Sequence, residues 1–174
     1  REETIINITS YSKNNFSPLD YIGSIVPISE TVCYNIKLTS LTLPNLSLVS
    51  GSKISFYPYV YVELKNITSP SYASSNIIYS NNPNSGRALF TAAITDVVAP
   101  EITSFVKPNC VMTQIVKFKP NDNFRFSVYL PNGKLFETVE EDLFSPYEPN
   151  DKLQIHATFS IKRLDSNEND DYNL

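Results

Sequence analysis

The chain has 174 residues, 41% apolar and 18% charged, with a formal net charge of −4. That length suits one domain with a core of its own. The acidic balance, without any basic cluster, argues against binding nucleic acid through phosphate neutralisation. No apolar run approaches the ~20 residues of a membrane helix, and no signal peptide precedes the first polar segment.

Taken in chain order, residues 1–29 read as an N-terminal arm with a weak strand at 3–9. The first strong element is 32–43. Val32, Tyr34, Ile36 and Leu38 alternate, then the pattern changes phase to Leu41 and Leu43. One extra residue moves every later side chain to the other face, so this phase change predicts a β-bulge. Segment 54–65 alternates next, with Ile54, Phe56, Val60, Val62 and Leu64 opposed to Ser55, Tyr57, Tyr59, Tyr61, Glu63 and Lys65.

Weaker strands are expected at 75–80, 88–95, 111–118 and 134–139. Segment 124–130 sets Phe124, Phe126, Val128 and Leu130 against Arg125, Ser127 and Tyr129. Segment 153–161 is the clearest, with Leu153, Ile155, Ala157, Phe159 and Ile161 on one face. Gln154, His156, Thr158, Ser160 and Lys162 fall on the other. Each such pattern places one face on a core and one outward. Residues 165–174 form an acidic tail.

Twelve prolines punctuate these runs, and Asn132-Gly133 between two apolar stretches marks a tight turn. Period-2 alternation throughout, with almost no helical period, defines an all-β chain. Eight strands plus an N-terminal arm fit two antiparallel sheets packed as a single jelly roll over 30–164. An immunoglobulin-like sandwich is the other topology that such alternation allows. The Pro131-Asn132-Gly133 hairpin sits awkwardly in a jelly roll, whose penultimate and last strands belong to different sheets.

Chemistry is sparse. The single histidine, His156, lies on the polar face of its strand with no nucleophile beside it, so no catalytic residue is assigned. Carboxylates at Glu137, Glu140, Glu141 and Asp142, and at Glu148 and Asp151, read as a solvated charged loop. They match no calcium-loop pattern. Cys33 and Cys110 read as two separate buried thiols, with a bridge between them the alternative. Neither a cofactor nor a metal site is expected. Four Asn-x-Ser/Thr patterns are no more than chance gives in a chain rich in these residues.

Tyr57, Tyr59 and Tyr61 align on the outward face of their strand. Exposed tyrosine rows are favoured at interfaces, so these three are the candidate subunit-contact residues. Coverage by the chain's own loops and a sugar-binding platform are the competing readings.

Three stretches carry a family resemblance: Leu38–Asn45, Lys117–Phe136 with its Pro-Asn-Asp and Pro-Asn-Gly turns, and Asp142–Asn150 leading to Ala157–Leu164. Together they resemble the single-jelly-roll capsid proteins of virophages and large double-stranded DNA viruses, above all the vertex (penton) proteins, over about residues 30–164. The resemblance implies a structural virion protein, not an enzyme. It would form a homopentamer at the icosahedral fivefold axes, beside capsomers of the major capsid protein. Neither nucleic-acid binding nor membrane insertion is implied. The extra domain that some pentons carry is not visible here. A carbohydrate-binding, lectin-like or attachment module is the alternative function for the same fold.

Overall fold

A computed structural model describes residues 3–10, 19–21, 32–66, 78–95, 97–118, 123–142 and 147–164. It contains nine strands: β1 (Glu3–Thr9), β2 (Leu19–Tyr21), β3 (Val32–Pro44), β4 (Tyr59–Asn66), β5 (Phe90–Ala93), β6 (Phe105–Val106), β7 (Thr113–Phe118), β8 (Phe124–Tyr129) and β9 (His156–Arg163). One sheet runs β1-β9-β3, with β6 and β7 sharing the far edge of β3. The other runs β2-β8-β4-β5, and every pairing is antiparallel.

The pairings nest. First joins last (β1 with β9), β2 joins β8, β3 joins β7, and β4 joins β5. This is one long hairpin rolled up, its two ends meeting again through β9–β3 and β8–β4. The fold is therefore a jelly-roll sandwich.

The alternating segments land as the sequence predicts. Leu153, Ile155, Ala157, Phe159 and Ile161 are all buried, as are Phe124, Phe126, Val128 and Leu130. The phase change in β3 is a bulge: Leu38 faces Phe159 and Ser40 faces Thr158, which leaves Thr39 as the extra residue. Its hydroxyl donates to the Thr158 carbonyl at 3.0 Å. Tyr34, Ile36, Leu38, Leu41 and Leu43 consequently all reach the core.

Several expectations are corrected. The eight strands of the roll include two from the supposed arm. β1 pairs with β9 over its whole length and buries Ile6 and Ile8. β2 lies beside β8. Segment 54–65 is not one strand. Ile54–Phe56 is a 3-10 turn, and the strand starts only after Pro58, which cannot donate to a ladder. The turn leaves Phe56 55% exposed.

Residues 78–80 carry no strand, and 75–77 lie outside the described residues, as do 165–174. Segment 134–139 makes only two isolated bridges, Leu135 to Tyr129 and Thr138 to Leu48. The Pro131-Asn132-Gly133 turn is a true hairpin, with Gly133 at φ 85° and its N–H donating to the Leu130 carbonyl. It folds the chain back on the end of β8, and only later does the chain cross to β9 in the other sheet. The hairpin and the jelly roll are thus compatible.

The two sheets meet around aromatic rings. Phe159 of β9 contacts Phe126 of β8 edge-on at 6.0 Å between centroids, and Phe90 of β5 at 6.1 Å. Phe159→Ala is expected to cost about 3–5 kcal/mol in denaturant unfolding. Half-buried His156, whose side chain lies outside the core, should cost less than about 1 kcal/mol on the same change. β1 gives a second test. Ile8→Ala should cost about 2–4 kcal/mol, whereas exposed Ile5→Ala should stay within about 0.5 kcal/mol. Equal values for the two isoleucines would mean that the arm does not belong to the sheet.

Candidate functional site

Segments 45–58, 97–104, 130–142 and 147–155 gather at one end of the roll. Buried Asn45 ties two of them together. Its Nδ2 donates to the carbonyls of Pro100 (2.9 Å) and Thr103 (3.0 Å), and its Oδ1 accepts from the Ser55 N–H at 3.1 Å. Its backbone N–H donates to the Ser104 carbonyl. Ala99 holds φ 53°, a left-handed conformation unusual for a residue with a Cβ, and the Thr103 hydroxyl donates to its carbonyl at 3.0 Å. The 97–104 segment is therefore pinned from both sides.

A two-stranded ribbon joins the other segments. The Val49 N–H donates to Glu137 and the Val139 N–H to Ser47, while Leu48 and Thr138 turn inward and are buried. Asp142, expected in a solvated loop, is also buried, and both its oxygens accept from the Asn150 N–H at 3.0 Å. The Asn150 side chain then caps the 3-10 turn Asp151–Leu153. Burial of Asp142 follows from its work as a loop brace.

The surface of this end is unusual. Six of the nine large exposed apolar residues among the described ones lie on it: Val49, Phe56, Val98, Ile102, Val139 and Tyr147. Seven carboxylates and only three lysines share the same segments. Between them opens a cleft of about 340 Å³, walled by Lys53, Glu101, Ile102, Asp151 and Lys152. Apolar side chains in a charged rim are the composition of a protein-contact surface. Sequence reasoning missed it because its members come from separate loops with no periodicity.

The tyrosine row is placed differently from expectation. Tyr61 is buried, and Tyr57 and Tyr59 are half-buried. The Tyr57 hydroxyl donates to the Gly51 carbonyl at 3.1 Å, and Tyr59 meets Tyr61 edge-on at 5.3 Å. Residues 80–84 lie over Tyr59 and Tyr61: Asn82 Nδ2 donates to the Tyr59 hydroxyl (2.8 Å) and, like Asn84 Nδ2, to the Pro131 carbonyl (3.0 Å). A Cβ at Gly133 would come within 2.8 Å of Asn84 Oδ1, so this clasp needs a glycine there. The row is thus covered largely from within the chain, which leaves a neighbouring subunit or a sugar little to stack on. Beside it Arg87 stacks over Tyr129 at 4.2 Å, and the Tyr129 hydroxyl donates to Glu63.

Cys33 and Cys110 are unpaired, and burial pushes the Cys110 thiol up, away from reactive thiolate. Among the described residues, no three His, Cys, Asp or Glu side chains converge on a metal position.

Burial raises the phenolic pKa values of Tyr61, Tyr34 and Tyr129. The Tyr59 hydroxyl adds to the effect at Tyr61 and the Glu63 charge at Tyr129, while Arg163 partly offsets it at Tyr34. A raised pKa means the folded state holds these protons more tightly than the unfolded chain. Their contribution is complete below about pH 10 and is lost as pH rises through the raised values. Alkaline titration by tyrosinate absorbance should show a late group, containing these three, that ionises with unfolding. Tyr61→Phe should shrink the late group.

No protein-family model matches the chain. Over 162 residues it is 32% identical to Uncharacterized protein 198R of Invertebrate iridescent virus 6, a match covering 91% of this chain and 33% of that protein. It is 25% identical over 162 residues to Uncharacterized protein 069L of Invertebrate iridescent virus 3, covering 92% of this chain and 37% of that protein. The chain thus spans about a third of the length of the curated relatives it matches, and both are viral proteins.

Proposed function

We propose that this chain is a structural virion subunit, a capsid vertex protein that assembles as a pentamer at the icosahedral fivefold axes. There it contacts the neighbouring capsomers of the major capsid protein. The observation that carries this reading is the rolled hairpin, eight nested strands and the short β6 in two sheets that close around one core and leave a pinned, apolar and acidic loop end. Such a body acts by shape and contact. Viral relatives and the resemblance of its turns to vertex proteins support the same reading.

Rigidity fits the role. The Asn45 bonds and the clasp over the tyrosines each fix a loop in place. A shell subunit must present the same contact geometry in every copy, and loops held by buried hydrogen bonds provide it. Cyclic assembly uses heterologous contacts, two different patches meeting head to tail.

Imaging of source virions at a resolution that resolves sheets tests the reading. Density for this two-sheet body is expected in five copies around each vertex. Its presence only at threefold or twofold positions, or outside the shell, would overturn the vertex assignment and leave the fold untouched.

A further inference from the structure

The outer face of the β1-β9-β3-β7 sheet carries the opposite charge from the loop end. Exposed Lys37, Lys117 and Lys162 rise from three adjoining strands. Lys37 stands opposite Ser160 and Thr113, Lys162 opposite Asn35, and Lys117 opposite Cys33. Strand spacing and rise place their stems within roughly 14 Å of one another. The one carboxylate on this face among the described residues is Glu3, which accepts a hydrogen bond from the Ser160 hydroxyl. The rest is uncharged: Asn7, Thr158, Ser40, Thr113 and the 53% exposed Ile5.

We propose that the lysine-bearing sheet face of one copy docks against the acidic, apolar loop end of a second copy. The inference rests on the self-assembling reading above and names the surfaces that meet. Charge decides the pairing. With buried Asp142 set aside, loop end against loop end would set six carboxylates against six, with three lysines on each side to offset them. Sheet face against sheet face would set three lysines against three. Only the crossed contact joins opposite signs, and like charges brought together across an interface cost several kcal/mol. The crossed contact also gives the apolar side chains of the loop end, Val98 and Ile102 among them, a partly apolar neighbour around Ile5 and the threonine methyls. Two unlike patches on one chain make a heterologous contact, which propagates head to tail and closes into a ring when the rotation allows.

Charge reversal tests this on the full chain. One variant carries K37E, K117E and K162E. The other carries E101K, E141K and E148K, all exposed positions. Circular dichroism and melting first establish that both fold. Self-association is then followed by sedimentation and native mass spectrometry at low and high salt.

The wild type is expected to associate more weakly as salt rises, because screening shortens the reach of exposed charges. Each variant alone should associate at least about tenfold more weakly. An equimolar mixture of the two should recover association, because each then supplies the surface that the other has lost. A wild type that stays monomeric at high concentration and low salt overturns the contact. So do variants that associate like the wild type, or a mixture that fails to recover. A vertex location with unaffected variants would leave the functional reading standing and remove this interface. Recovered association with density away from the vertices would do the reverse.

Discussion

Phe159 is the side chain on which the two sheets depend. It stands in the central strand of the larger sheet, between β1 and β3, and reaches across to Phe126 and Phe90 of the other. Those partners come from β8 and β5, which are not neighbours, since β4 lies between them. One ring therefore fixes the separation of the sheets and the position of one across the other. The β3 bulge matters for the same reason. Without the extra residue at Thr39, Leu41 and Leu43 would leave the core on which Phe159 sits.

Polar groups do the corresponding work at the loop end. Asn45, Asp142 and Thr138 are buried, and each holds a backbone group of another segment or another turn. Their hydrogen bonds compensate the removal of these side chains from water. The exposed apolar residues are free to face outward because they are not needed to hold the loops. Cohesion and contact are divided between two sets of residues.

Much of the sandwich was legible in the sequence. Alternation placed every apolar core residue of 124–130 and 153–161, though not the burial of Ser127 and Ser160, and a phase change located the bulge. What failed has physical causes. Period 2 marks a strand's faces and not its partner, so the arm carried no sign that it pairs with the far end of the chain. Segment 134–139 alternates like a strand, yet it makes only isolated bridges, one to the end of β8 and one to the loop at Leu48. The tyrosine row alternates correctly too. What covers it is a stretch of Ser, Asn and Pro, where Asn82 and Asn84 have no period to reveal them. Alternation likewise ran through Pro58 in the pattern, although the backbone could not.

Nested pairing also sets an order for making the molecule. As the ribosome releases the chain, β4 and β5 are the first partners to coexist, since they lie closest in sequence. β3 must wait for β7, and β2 for β8. β1 is made before its partner among the described strands, β9, which is the last of the nine to emerge. Until then Ile6 and Ile8 have no sheet to enter, and the edge of β1 stays open to other chains. In a cell filled with nascent copies of one protein, the interval between the making of β1 and that of β9 is the period when this edge is most exposed to mispairing.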